Sequence, residues 1–130
     1  MKLNHVNLPV RDVETARDFF TKYFGLVTVQ EVGKNFLAIL QDDTGLVLNL
    51  SHFDKNSTAE VEYHKDFHIG FFVETREEVD RIYQLISADG IGDEAPERKE
   101  GRYGFYIAAP GGFVVEVACM EWPKMATPKE

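Results

Sequence analysis

The chain repeats itself. His5-Val6-Asn7 returns as His68-Ile69-Gly70 and Asp12 returns as Thr75, both 63 residues further on. Later, Thr44-Gly45-Leu46-Val47-Leu48-Asn49-Leu50 returns as Gly111-Gly112-Phe113-Val114-Val115-Glu116-Val117, now 67 residues on. The change of offset puts an insertion of four residues between the helix and the last hairpin of the second copy. Self-similarity of this kind predicts two copies of one supersecondary unit. A helix covers one face of a sheet and leaves the other bare, so two such units pair to enclose a cavity.

Each copy reads as β-α-β-β-β. In the first, Leu3 to Val10 is a strand, and Val13, Ala16, Phe19, Phe20, Tyr23 and Phe24 recur at helical spacing. Asp12 is placed to cap this helix and Gly25 to end it. Strands follow at Leu26 to Val32, Phe36 to Gln41 and Leu46 to Leu50, with turns at Gly33-Lys34-Asn35 and Asp42 to Gly45. In the second copy, Phe67 to Val73 is a strand, and Thr75 with Glu78 makes a capping box. Val79, Ile82, Tyr83 and Ile86 form the apolar stripe, and Gly90 closes the helix or its following turn. Tyr103 to Ala108 and Phe113 to Val117 then form a hairpin around Ala109-Pro110-Gly111-Gly112. Residues 91–102 are highly charged and read as a solvated loop. The resulting organisation is one domain over residues 1–122, with modules at 3–50 and 65–119, a linker at 51–64, and a peripheral tail at 123–130.

Composition narrows the function classes. A formal net charge of -8 over 130 residues offers no basic stripe for nucleic acid and favours a cationic ligand over an anionic one. No apolar run approaches the roughly 20 residues of a membrane span, and no signal-peptide pattern opens the chain. One cysteine, Cys119, leaves no internal disulfide, and it lacks an obvious paired base. The expected location is cytoplasmic, so the acceptor pattern Asn56-Ser57-Thr58 is a chance match. Ten Phe and five Tyr point to an aromatic interior or pocket.

Three polar residues stand out against the repeat. His5 and His68 hold the same place in their first strands, and Glu116 interrupts the apolar run of the last strand. Glu116 shares a face with Val114 and Ala118, opposite Val115 and Val117. If buried, its charge needs a partner. Two imidazoles and a carboxylate are a set suited to a divalent metal (Fe, Mn, Ni, Co or Zn); the plainer alternative is two satisfied core histidines and a rim carboxylate. Asn49, the counterpart of Glu116, reads as an ordinary strand residue or a hydrogen bonder to substrate. Tyr63, Arg102, Tyr103 and Tyr106 form a polar and aromatic pocket wall, or simple strand packing. In the first case Tyr103 or Tyr106 can supply a proton. His52 and His64 read as surface histidines beside the linker.

The segments HVNLPVRDVETARDFFTKYFGL, FHIGFFVET and YIAAPGGFVVEVA resemble the vicinal oxygen chelate superfamily, the group of glyoxalase I, fosfomycin-resistance proteins, extradiol dioxygenases and bleomycin-resistance proteins. The resemblance spans residues 3 to about 119. It implies an α+β fold of paired βαβββ modules forming an eight-stranded cupped sheet, commonly in homodimers. It also implies that His5, His68 and Glu116 fall on metal-ligand positions, within one chain or across two. Glu116, Tyr103 and Tyr106 would then act in catalysis, with Asn7, Asn49 and Arg102 in the substrate pocket. Against glyoxalase I, Asn49 stands where a fourth ligand, a Glu, is expected, and Pro9 near a glutathione-contacting Arg. Two readings follow. One is a metal-dependent enzyme of the glyoxalase/dioxygenase type acting on a small oxygenated substrate. The other is a metal-free binding protein that sequesters a hydrophobic or cationic compound, as bleomycin-resistance proteins do.

Overall fold

The repeat in the sequence folds as two βαβββ units. The structure, a computed structural model, describes residues 1–53, 60–92 and 94–121. The Asn56-Ser57-Thr58 pattern and the tail at 123–130 lie outside the described residues. One compact unit comprises Met1–Lys65 with Ala109–Gly112, and the other comprises Asp66–Ala108 with the chain from Phe113 onward.

The first unit runs β1 (His5–Val10), α1 (Val13–Phe24), β2 (Val27–Val32), β3 (Leu37–Gln41) and β4 (Val47–His52). Its sheet has the order β1-β4-β3-β2, with β1 parallel to β4 and the other pairs antiparallel. The Asp12 carboxylate accepts the Thr15 N–H at 3.0 Å, satisfying a donor that the first helical turn leaves open. Gly25, at φ +68°, stops the helix in the left-handed region. Val13, Ala16, Phe19, Phe20 and Tyr23 are buried along one side of α1. They meet the buried strand residues Ala38, Leu40 and Leu50, and Leu8 and Val10 of β1 are buried as well. Burial of each large side chain here contributes about 1.5–3 kcal/mol. Strand alternation sends His5, Asn7 and Asn49 to the opposite face.

The second unit repeats the plan with β5 (His68–Phe72), α2 (Arg76–Ala88), β6 (Glu97–Lys99), β7 (Arg102–Ala108) and β8 (Val114–Met120), in the order β5-β8-β7-β6. Thr75 Oγ1 accepts the Glu78 N–H at 3.1 Å, as the capping box predicts. Val79, Ile82 and Ile86 are buried on α2, and Phe105, Ile107, Val115, Val117 and Cys119 are buried on the strands it covers.

The two copies differ at the second strand of the unit. Residues 91–102 read as a charged loop, yet Glu97–Lys99 pair with β7 as an edge strand. All three side chains are exposed, so no alternation marks the strand in the sequence. Their charge is what keeps such an edge from recruiting another strand. Glu100 and Gly101, at φ +51° and +78°, make the tight two-residue turn into β7.

No helix among the described residues is long and apolar enough to cross a membrane.

Gly104 in β7 faces Ala118 in β8, and a Cβ built on it would lie 2.1 Å from the Val117 carbonyl oxygen and 2.7 Å from Ala118 Cα. Both obstructions are backbone and cannot rotate away. Gly104→Ala is expected to cost about 3 kcal/mol, read as a lower urea midpoint at unchanged slope.

Candidate functional site

The bare face of the second sheet carries the candidate site. Register places His68 and Gly70 on β5, Val114, Glu116 and Ala118 on β8, and Arg102, Gly104 and Tyr106 on β7 along that face. Glu116 is 5% exposed and is the buried charged residue at its centre. Gly70 and Tyr106 are its cross-strand neighbours. Neither glycine of this face, Gly70 or Gly104, puts a side chain over it.

A buried carboxylate calls for compensating charge and hydrogen bonds. Arg102 supplies the first, with its Nε 3.3 Å from Glu116 Oε2. Arg102 Nη2 also donates to the Tyr106 hydroxyl at 3.1 Å, and Tyr106 lies directly across the strand pair from Glu116. Burial pushes the Tyr106 phenol above its ordinary pKa; the hydrogen bond to Glu116 and its negative charge add to this, while Arg102 opposes it. His68 stands with its ring edge to Tyr106, centroids 5.9 Å apart. Its Nδ1 is 3.0 Å from the Asp66 carbonyl, which can only accept, so that nitrogen carries a proton. Its Nε2 lies 3.8 Å from Glu116 Oε1, an ionic contact only in the imidazolium form.

Beside this cluster opens a groove with about 240 Å³ of free space. Gly104 and Ala118 form part of its lining, with Arg102, Tyr106 and Glu116 beside them. Glu94, Glu97, Lys99 and Glu100 line it from β6 and the segments on either side of it. The lining thus carries four carboxylates and two cations, an acidic balance. By sequence alone these charged residues read as a solvated loop. The signal that bore on the groove was Gly104, a glycine inside a strand, which marks a close backbone approach.

The other candidates are dispersed. Tyr103 lies on the helix-covered side of β7, opposite Cys119. Its hydroxyl donates to Asp80 Oδ1 at 2.6 Å, and the Arg76 guanidinium sits 4.6 Å above its ring. The hydrogen bond to Asp80, then burial, push its pKa up to about 12. Burial also raises the Cys119 thiol, which disfavours the reactive thiolate. In the first unit, His5 Nδ1 is 3.1 Å from Asn4 Oδ1, and Asn7 pairs with Asn49 in register. Asn49 Oδ1 is buried with no hydrogen-bond partner among the described residues. His52 Nδ1 is in the same condition, and the Tyr63 hydroxyl donates to the Pro9 carbonyl.

The expectation of a divalent metal (Fe, Mn, Ni, Co or Zn) on His5, His68 and Glu116 is corrected by this geometry. Among the described residues, no group of three or more His, Cys, Asp and Glu side chains could hold a metal ion. His68 and Glu116 approach one another, but the additional charged group at Glu116 is a guanidinium, which is a permanent cation and cannot act as a ligand. The partner that Glu116 required is supplied from within the unit.

A family model described as the Glyoxalase/Bleomycin resistance protein/Dioxygenase superfamily matches residues 2–117. Among solved structures, a possible glyoxalase from Bacillus cereus is 44% identical, with 92% of this chain and 99% of that chain covered and a TM-score of 0.80. A lactoylglutathione lyase from Agrobacterium tumefaciens is 24% identical, covering 91% and 92%, with a TM-score of 0.72. A glyoxylase/bleomycin resistance protein/dioxygenase domain from Frankia sp. EAN1pec is 16% identical, covering 92% and 98%, with a TM-score of 0.79. The last two likenesses concern the fold alone. No curated protein matches the chain.

The Tyr103–Asp80 bond ties β7 to α2, and its pH dependence has a definite sign. A phenol whose pKa is raised by folding contributes stability that is complete below the unfolded value near 10 and is lost as pH rises through about 12. Tyr103→Phe is therefore expected to lower stability by about 1 kcal/mol at pH 7. The deficit should be undiminished at pH 9 and shrink above pH 10, as measured by denaturant unfolding of both proteins across that range.

Proposed function

The chain belongs to the glyoxalase/bleomycin resistance protein/dioxygenase superfamily, and from that premise we propose that it is a small-molecule-binding protein that sequesters a hydrophobic or cationic compound. The observation that carries this reading is the pairing of Glu116 with Arg102 at the edge of a groove whose lining is acidic. A carboxylate already matched by the chain's own cation serves recognition by charge and shape rather than metal ligation. The acidic lining, in a chain of net charge -8, attracts cations and repels anions. Tyr106, 43% exposed, and Phe72, 63% exposed, offer aromatic surface on the same sheet face. Asn7 and Asn49 offer polar groups on the corresponding face of the first unit.

The possible glyoxalase of Bacillus cereus keeps its name for itself. A lyase or dioxygenase reaction of the family kind asks for a donor set that the described residues here do not assemble. In the binding reading, Glu116 and Tyr106 hold ligand and Arg102 sets which ligand enters. Tyr103 has a structural role.

Calorimetric titration of the purified protein with organic cations, neutral aromatics and carboxylates tests the reading, before and after chelation with EDTA. Saturable binding of cationic or neutral aromatic compounds is expected, unchanged by EDTA. Binding confined to anions, or lost on chelation and restored by a divalent metal, would reverse the conclusion.

We further propose that the working form is a cytoplasmic homodimer. Val27, Val29 and Phe53, each more than half exposed, supply apolar surface for a second copy to cover. Sedimentation equilibrium is expected to give twice the 14.8 kDa chain mass, and a single-chain mass at tens of micromolar would rule the dimer out.

A further inference from the structure

We propose that the groove beside Glu116 takes a planar organic monocation, a protonated amidine or guanidine, and that Arg102 is its specificity residue, holding the place at Glu116 that the ligand's own cation takes over. The inference rests on the binding reading above and names the ligand class and the exchange.

Glu116 is almost wholly buried but poorly served. A carboxylate presents about four acceptor positions, and charge-assisted N–H···O bonds close to about 2.7–2.9 Å. Arg102 comes no nearer than 3.3 Å, from Nε to Oε2, longer than a charge-assisted hydrogen bond, and its Nη2 donates to Tyr106. His68 Nε2, at 3.8 Å, is beyond hydrogen-bonding distance. Tyr106 neighbours the carboxylate from across the strand pair, and its hydroxyl accepts from Arg102 Nη2. The buried charge is therefore neutralised loosely, and it borders open space rather than packed core.

That space has a matching shape. Between Arg102 and Tyr106 on β7 lies Gly104, and across from it on β8 is Ala118. Neither rises above the sheet, and the backbone contacts of Gly104 forbid a larger residue there. The result is a flat floor that ends at a carboxylate, with the Tyr106 ring beside it. The free volume of about 240 Å³ is below the roughly 300–1,000 Å³ of pockets for drug-sized molecules. A flat aryl amidine fits this description. Its planar N–C–N fork can meet both oxygens of Glu116, while its ring lies over Gly104, which carries no side chain. Arg102, once displaced, remains in a groove whose lining also carries Glu97, Lys99 and Glu100. An ammonium ion lacks the fork, and a carboxylate ligand would face Glu116 and the acidic rim.

Benzamidinium is the probe, with benzamide as its neutral isostere. In wild-type protein, saturating benzamidinium is expected to shift the ¹H–¹⁵N signal of Arg102 Nε–H strongly, and benzamide to leave it in place. Arg102→Met removes the internal competitor and is expected to tighten benzamidinium about tenfold while leaving benzamide unchanged. Glu116→Gln should weaken benzamidinium at least tenfold. The wild-type signal needs no variant to fold, and an Arg102 Nε–H unmoved at saturation overturns the exchange. Absence of saturable benzamidinium binding overturns the ligand class. In either case the wider binding reading stands if other cations or neutral aromatics bind, and falls with them only if none does.

Discussion

The second unit is organised around one buried charge. Glu116 sits at 5% exposure in the middle of β8, flanked along the strand by Val115 and Val117, which pack toward α2. An uncompensated carboxylate there would cost several kcal/mol, so the surrounding strands must deliver partners to it. Register does this in part: Tyr106 lies directly across on β7, and Arg102, four residues along the same strand face, reaches back to Oε2. Gly70 on the other side leaves the carboxylate room. Removing either member of the Glu116–Arg102 pair would strand the other, whereas the pair as a whole adds little net stability.

The two copies of the unit have diverged around this point. Asn49 occupies in the first sheet the position that Glu116 occupies in the second, and its Oδ1 has no hydrogen-bond partner among the described residues. The helices, by contrast, are built alike: an oxygen-bearing N-cap, a buried apolar stripe, and a sheet face of aliphatic residues beneath. The common part of the repeat is thus scaffold, and the differing part is chemistry. The second strand of the unit belongs to the second category, since Glu97 and Lys99 of β6, with Glu100 in the turn after it, line the groove.

Much of the scaffold was legible because its signals are local. Asp12 and Thr75 announce their helices by the hydrogen bonds their side chains can make, and Gly25 marks a residue in the left-handed region. Strand β6 was not legible. Its three charged residues have no buried face, and only pairing with β7 makes them a strand. The residues of the candidate site were only partly readable. Glu116, Arg102 and Tyr106 were each recognisable as polar residues in or beside strands, but Tyr103 looked equivalent to Tyr106. Period-two alternation separates them: one faces Asp80 on α2, the other Glu116.

By itself, the sequence determined the repeat, the two βαβββ units and the family, because periodicity, caps and turn glycines act over a few residues. It also determined that a buried Glu116 would need a counter-charge, since desolvation of a carboxylate is costly in any fold. The identity of that counter-charge was decided by tertiary structure. Histidines at equivalent positions suggested a metal, but whether separated residues meet depends on strand register and side-chain reach, which no spacing encodes. Register gave Glu116 the Arg102 guanidinium, and no set of metal donors is gathered among the described residues.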